Sequence, residues 1–230
     1  MLRSGYRKTI YYEWTIEKDG VIVLIDMHIH EKTCSPDSEM ALADIVTDAR
    51  RKGLDGICIT DHDSMGLRAF AENYSKEISF PIFVGVEYYS LWGDITAWGI
   101  DSFPDRRVSA QDFINSVEAA GGFCVACHPF RNNNRGLEEH LREVRHLGGI
   151  EVLNGSTDLE ANRLALAYCE ELGCVPIGAS DAHWISQVGK FATWFPEPVY
   201  NLSGFIRVLR AGGCKPAILE PDGYRVVDRF

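Results

Sequence analysis

The residues whose types and spacing could do chemistry fall into five short groups. Asp26-Met27-His28-Ile29-His30 closes an apolar run. In an extended strand, residues 26, 28 and 30 share one face. Two imidazoles so spaced can hold one cation, with Asp26 orienting a ring from behind it. Alone, that spacing is a weak signal, since strand histidines are more often ordinary polar residues. Asp37, in Ser35-Pro36-Asp37-Ser38, is either an acid at a helix N-terminus or a ligand that turns back. Thr60-Asp61-His62-Asp63 directly follows a second apolar run. His62 is its candidate ligand, and Asp61 either binds metal or fixes the ring. Gly85-Val86-Glu87 ends a third run, where the carboxylate can bridge two cations. Asp94 opens the next run as a ligand or a turn acid. His128-Pro129 supplies another imidazole. In the loop after it, Arg131 and Arg135 can hold a phosphate by forked hydrogen bonds or simply be solvated. Ser180-Asp181-Ala182-His183 repeats the spacing of the first group, and Lys190 follows.

Crowded carboxylates repel, and burial penalises each charge; divalent cations remove both costs. The donors are all nitrogen or oxygen, which suits Mn, Fe or Zn.

To bring these groups together, the chain needs strands that end at one edge. Apolar runs at 21–27, 56–60, 81–86, 94–100, 122–127, 149–153 and 174–178 are rich in β-branched residues and read as strands. Amphipathic segments at 38–51, 64–74, 109–120, 137–147, 159–172 and 202–211 read as helices. Glycines after residues 52, 120 and 172 mark helix ends, and Ser109 with Asp112 resembles a capping box. Strand–helix alternation predicts a mainly parallel α/β sheet, closed or open. Five of the seven histidines fall at C-terminal strand ends, the edge where α/β folds build their sites. Residues 1–20 read as an added strand or hairpin, 21–218 as the main domain and 219–230 as a polar surface tail.

Bulk properties narrow the function classes. The 230 residues are 46% hydrophobic and 24% charged, with net charge −10, a soluble globular balance. That charge argues against long nucleic acid as a partner and suits a site of carboxylates that bind cations. No apolar run is long enough for a membrane span, and no signal peptide is legible. Seven scattered cysteines show no disulfide framework, which fits a cytoplasmic chain. Cys124 and Cys127 have redox or zinc spacing, but an apolar run without a second pair favours two packed thiols. Oligomeric state is not legible.

Taken in order, Asp26-x-His28-x-His30, Thr60-Asp61-His62, Gly85-x-Glu87, His128-Pro129 and Ser180-Asp181-Ala182-His183 resemble the PHP family, named for polymerase and histidinol phosphatase members. The similarity spans about residues 21–216 and is greatest to small stand-alone metal-dependent phosphoesterases. The resemblance implies a distorted (β/α)7 barrel of the PHP type with two or three divalent metal ions at the C-terminal ends of its strands. It implies that His28, His30, Glu87 and Asp181 hold one ion, and that Glu87 bridges to a second on His128. Asp37, His62 and His183 would hold a third. Many relatives carry His where this chain has Asp94, which adds negative charge at the second position.

The expected activity is hydrolysis of a phosphate ester, with His62, Glu87, Asp181 and His183 at the reacting centre. A water bridging two cations loses its proton near neutral pH and attacks phosphorus. The cations, with Arg131, Arg135 or Lys190, neutralise the phosphoryl oxygens. A small phosphomonoester, a nucleotide or sugar phosphate, is the leading substrate. Exonuclease-type cleavage of short oligonucleotides or bis-phosphorylated nucleotides is the alternative, and a non-catalytic metal-stabilised binding domain the second. A C–N amidohydrolase would usually place a carbamylated Lys at a strand end, and no Lys stands there.

Overall fold

A computed structural model describes residues 23–230. The expected extension at 1–20 lies outside the described residues. Eleven strands and five α-helices follow in chain order: β1 (Val23–Ile29), α1 (Leu42–Arg51), β2 (Gly56–Ile59), α2 (Arg68–Ile78), β3 (Ile82–Val84), β4 (Val86–Tyr89), β5 (Asp94–Trp98), α3 (Ala110–Ala119), β6 (Phe123–Ala126), β7 (Gly149–Asn154), α4 (Leu159–Leu172), β8 (Val175–Ala179), β9 (Phe191–Phe195), α5 (Leu202–Ala211), β10 (Lys215–Glu220) and β11 (Gly223–Val226).

The strands form two sheets, β11-β10-β9-β1-β2-β3 and β4-β5-β6-β7-β8. No ladder closes them into one barrel among the described residues. Two isolated parallel bridges, Ile29 to Ala182 and His62 to Glu87, join the sheets at their seams. Both bridges lie at strand ends that carry candidate site residues. At its other end β1 pairs with β9 instead, through Val23, Leu24 and Ile25, so β8 reaches β1 only at the functional edge.

The pairing is mixed rather than mainly parallel. Four ladders are parallel (β1–β2, β2–β3, β6–β7, β7–β8) and five are antiparallel. Only Ser90–Gly93 separates β4 from β5; so short a link permits a hairpin but no crossover. Antiparallel pairing brings the start of β5, and with it Asp94, to the edge where the parallel strands end. In the C-terminal stretch, β10 and β11 form a hairpin that extends the first sheet.

Helices α1 and α2 bury Ile45, Val46 and Ala71 against Ile57, Ile59 and Ile82. Across the second sheet, α3 and α4 bury Phe113, Ile114, Val117 and Ala165 against Ile95, Ile150 and Val152. A third cluster joins Phe205 and Leu209 of α5 to Ile25, Phe83, Trp98 and Phe195. Ser109 caps α3, accepting from Asp112 N, although Asp112 answers to the Ser109 hydroxyl rather than to its backbone. Asp158 caps α4, and Gly173 ends it with φ 67°, the left-handed turn that glycine adopts freely.

Three helix expectations shift. Residues 137–147 make one 3-10 turn, Glu138–Arg142; Glu138 stands at φ 48°, which no α-helix can contain. Helix α2 starts at Arg68 rather than residue 64, and α1 at Leu42 rather than residue 38. Ahead of α1, Asp37 faces His62 and His183, and Ser38 bonds the His30 carbonyl.

Candidate metal centre

Each cluster read from the sequence reaches one edge of the two sheets. His28 lies on β1 and His30 directly follows it, His62 comes from the segment after β2, Glu87 from β4 and Asp94 from the start of β5. His128 follows β6, and Asp181 and His183 follow β8. Three of these segments turn through left-handed backbone at non-glycine residues, with φ 45° at Asp63, 30° at His128 and 50° at Asp181. Such conformations cost about 1–3 kcal/mol each and gather where function requires them.

The donor atoms converge. His28 Nε2 and His30 Nε2 are 3.0 Å apart. Glu87 Oε2 lies 3.6 Å from the first and 3.5 Å from the second. Asp181 Oδ1 lies 3.7 Å and 3.4 Å from the same two nitrogens. Glu87 also faces outward: Oε1 meets His128 Nε2 at 3.0 Å, and Oε2 meets His62 Nδ1 at 2.6 Å. Asp37 Oδ2 stands 3.0 Å from His62 Nε2 and 3.3 Å from His183 Nε2. Asp37 precedes α1 by several residues and faces two imidazoles, so it is not an acid on a helix N-terminus.

These distances test whether a cation fits. Ligands about 2.0–2.2 Å from a shared ion stand about 3.0–3.6 Å from one another. His28, His30 and Glu87 match that spacing, and Asp181 matches it to His30 and falls just outside it to His28. The His30 Nδ1–H donates to Ser35 Oγ at 3.2 Å, since Ser35 Oγ itself donates to Asp61 Oδ1 at 3.0 Å. That leaves His30 Nε2 with a lone pair aimed at a second ring nitrogen. Moreover, Glu87 Oε2 and His62 Nδ1 are buried without a hydrogen-bond partner despite their close approach. Paired lone pairs and orphaned buried atoms are what a divalent cation would satisfy.

The electrostatics agree. Burial pushes Glu87 and Asp181 up, but surrounding imidazoles, His28 foremost, hold both carboxyls well below the usual range. Burial opposes charge on His28, yet Glu151, Asp181 and Glu87 raise its pKa well above normal. His62 is desolvated too, and Glu87 and Asp37 still push it up to about 9. His30 goes the other way, to about 4, through burial and the nearby charge of His28. Burial and Glu87 push Asp94 up to about 7 against the pull of Arg135. Without metal, protons on the rings balance the acids; cations can take their place.

The family model of the PHP domain matches residues 26–156, and that of the PHP-associated region matches residues 160–214. The chain belongs to the PHP family. Over 151 residues this PHP protein is 26% identical to an uncharacterized protein of Methanocaldococcus jannaschii, covering 61% of this chain and 88% of that one. Its fold is similar to a two-domain protein of Bacteroides vulgatus containing a predicted PHP-like metal-dependent phosphoesterase. The TM-score is 0.69 at 20% identity, over 87% of this chain and 66% of that one. A lesion-specific endonuclease of Pyrococcus furiosus shares the fold at TM-score 0.62 and 13% identity, over 85% of this chain and 58% of that one. At such identities the likeness is one of fold.

Several PHP-domain side chains stand differently from the sequence expectation. Asp26 orients no ring. It accepts from the backbone N–H groups of His28, Ser180 and Gly189 and from the Ser180 hydroxyl, tying β1 to the segment after β8 and to the start of β9. Asp61 reaches His30 only through Ser35 and also accepts from Glu31 N at 2.6 Å. Arg131 bonds Asp181 at 2.8 Å, and Arg135 grips both oxygens of Asp94 at 2.6 and 2.8 Å. Both arginines neutralise buried acids before any ligand arrives. Lys190 is exposed and donates to the Gly155 carbonyl. Asp94 itself lies 3.9 Å from His128 Nε2. Cys124 and Cys127 are buried free thiols.

Sequence reasoning passed over Glu151 and Ser35. Glu151 sits 2.7 Å from His28 Nδ1 and is 1% exposed. Its signal was present: a lone acid inside an apolar strand with no neighbouring cation in the sequence to pair with.

Proposed function

We propose that this chain is a metal-dependent phosphoesterase that hydrolyses a small phosphomonoester, a nucleotide or sugar phosphate. The observation that carries the proposal is the double-faced Glu87, whose oxygens meet His128 on one side and His28, His30 and His62 on the other. One ion fits His28, His30, Glu87 and Asp181. A second fits Glu87 and His128 with Asp94, and a third fits Asp37, His62 and His183. Divalent cations held there supply Lewis acidity and make water acidic enough to act as a nucleophile near neutral pH. Nitrogen and oxygen donors suit Mn, Fe or Zn.

The protein's own contribution is to bind and orient the ester. Arg131 has donors beyond the one spent on Asp181, and its side chain is 32% exposed. Arg135 is similarly placed beside Asp94, at 33% exposure. Both can meet phosphoryl oxygens while keeping the acids paired. Lys190 is exposed, donates to the Gly155 carbonyl and would add a third positive charge for the phosphate. The seven free thiols suit a reducing compartment, the cytoplasm. Among the described residues no helix is long and apolar enough to cross a membrane.

Metal analysis of the purified protein, run beside hydrolysis of a nitrophenyl monoester and its diester, tests this reading. The expected result is two or three bound ions and faster turnover of the monoester, with Asp181→Ala losing both metal and hydrolysis. Diester preference would move the substrate class to phosphodiesters. An Asp181→Ala protein with unchanged metal content and turnover would overturn the scheme.

A further inference from the structure

Glu151 belongs to β7, and none of its oxygens faces the Nε2 atoms where the ligands converge. Its Oε1 meets His28 Nδ1 at 2.7 Å. Its Oε2 accepts from the backbone N–H of His128 at 2.9 Å and from Asn154 Nδ2 at 2.9 Å. The same Asn154 amide reaches Asp181 Oδ2 at 3.3 Å, while its carbonyl end accepts from Ser156 N and Thr157 Oγ1. One buried carboxylate therefore touches two members of the centre and reaches a third through a single amide.

Two physical consequences follow. An ionised carboxylate only accepts hydrogen bonds, so His28 Nδ1 must donate. In a neutral ring the lone pair then sits on Nε2, the atom that faces His30, Glu87 and Asp181. Second, His128 holds φ 30°, a conformation costly for any side-chain-bearing residue. Its N–H is fastened to Glu151 Oε2, which anchors the strained backbone from which the imidazole projects.

We propose that Glu151 is a positioning residue of the metal centre, selecting the His28 tautomer and pinning the backbone at His128. The proposal rests on the metal reading above. Carboxylate partners of ligating histidines raise metal affinity by about 10–100-fold, and here one carboxylate serves two of them. In Glu151→Gln one oxygen still accepts, but the amide nitrogen donates. It cannot satisfy both His28 Nδ1–H and His128 N–H, so one of them loses its partner.

Mn(II) and Zn(II) titrations of metal-stripped wild type, Glu151→Gln and Glu151→Asp test the proposal. Long-range 1H–15N spectra of the Zn-loaded wild type accompany them. Glu151→Gln is expected to bind ions about 10–100-fold more weakly, with unchanged far-UV circular dichroism; Glu151→Asp, which keeps the acceptor charge, recovers part of the loss. The spectra should show the His28 proton on Nδ1. Equal affinity in wild type and Glu151→Gln overturns the role of Glu151 while leaving the metal centre standing; a His28 proton on Nε2 removes that atom from the ligands and overturns both. A wild-type protein that takes up neither ion overturns the metal reading and this proposal together. Should Glu151→Gln fail to fold, Glu151→Asp decides: ion affinity below the wild-type value supports the role of Glu151, and equal affinity overturns it.

Discussion

Gly85 stands two residues before Glu87, and the packing explains why the Gly-x-Glu spacing requires glycine there. A Cβ at position 85 would lie 2.5 Å from the Ala97 carbonyl oxygen and 2.7 Å from Cδ1 and Nε1 of Trp98. Carbon normally keeps about 3.5 Å from such atoms, so Gly85→Ala demands a separation of close to an ångström. Trp98 is fully buried and the oxygen is backbone, so β4 itself must move away from β5. That movement strains the Val86–Ala97 and Glu87–Thr96 pairing. Overpacking costs about 1–3 kcal/mol, and two weakened backbone hydrogen bonds add about 1 kcal/mol each. A loss of about 3–5 kcal/mol corresponds to a fall in Tm of about 6–20 °C for a domain of this size. Glu87 would be carried along, and a site displaced by about 0.5 Å or more loses its productive geometry. Thermal denaturation of the metal-free protein reads the first effect, and metal content of the loaded protein reads the second. If Gly85→Ala keeps the wild-type Tm and its full complement of ions, the proposed packing of β4 on β5 is wrong.

Three further outcomes can be measured. Asp26→Ala leaves three backbone N–H groups and a hydroxyl without their acceptor, so urea denaturation should show a loss of about 3 kcal/mol or more; a loss below about 1 kcal/mol contradicts its linking role. Asp48 is desolvated, yet Lys52 and Arg51 hold its carboxyl below the usual range. A depressed folded pKa gives stability that is present above the unfolded value of 3.8 and lost as pH falls below it. Asp48→Asn should therefore flatten the acid limb of the stability curve, and an unchanged limb would assign that loss to other groups. Chelation should abolish hydrolysis and lower Tm. Ions present at 100–1,000 times their Kd contribute about 3–4 kcal/mol of stability by linkage, and re-addition of Mn(II) or Zn(II) should restore both.

The candidate ligands were legible because each combines a chemically committed side chain with a position at the end of an apolar run. His28 and His30 follow from a spacing of two along β1 and its end, whereas Asp181 and His183 lie past β8, where Asp181 turns through φ 50°. Glu151 was not legible as a partner of His28, because 123 residues separate the two and only the β7–β8 pairing, together with the seam between β1 and the segment after β8, brings them together. Arg131 and Arg135 carried a positive charge suited to phosphate, but their present partners, Asp181 and Asp94, lie on other elements. Strand β9 went unread because its residues, Phe191-Ala192-Thr193-Trp194-Phe195, follow the last ligand group without a helix between. The 137–147 segment misled in the opposite sense: Leu137, Leu141 and Val144 are all buried, and a 3-10 turn buries that spacing as well as an α-helix does.

What local order alone determines here is which residues can bind and which strand ends carry them. Periodicity is a property of consecutive residues, and side-chain chemistry belongs to each residue separately. Tertiary structure decides direction and distance: the hairpin that turns Asp94 toward His128, the β1–β9 pairing that opens the strands into two sheets, and the burial that strips water from Glu87 and Asp181. Those depend on contacts between segments far apart in the chain, and the energy of such contacts is written in no single stretch of it.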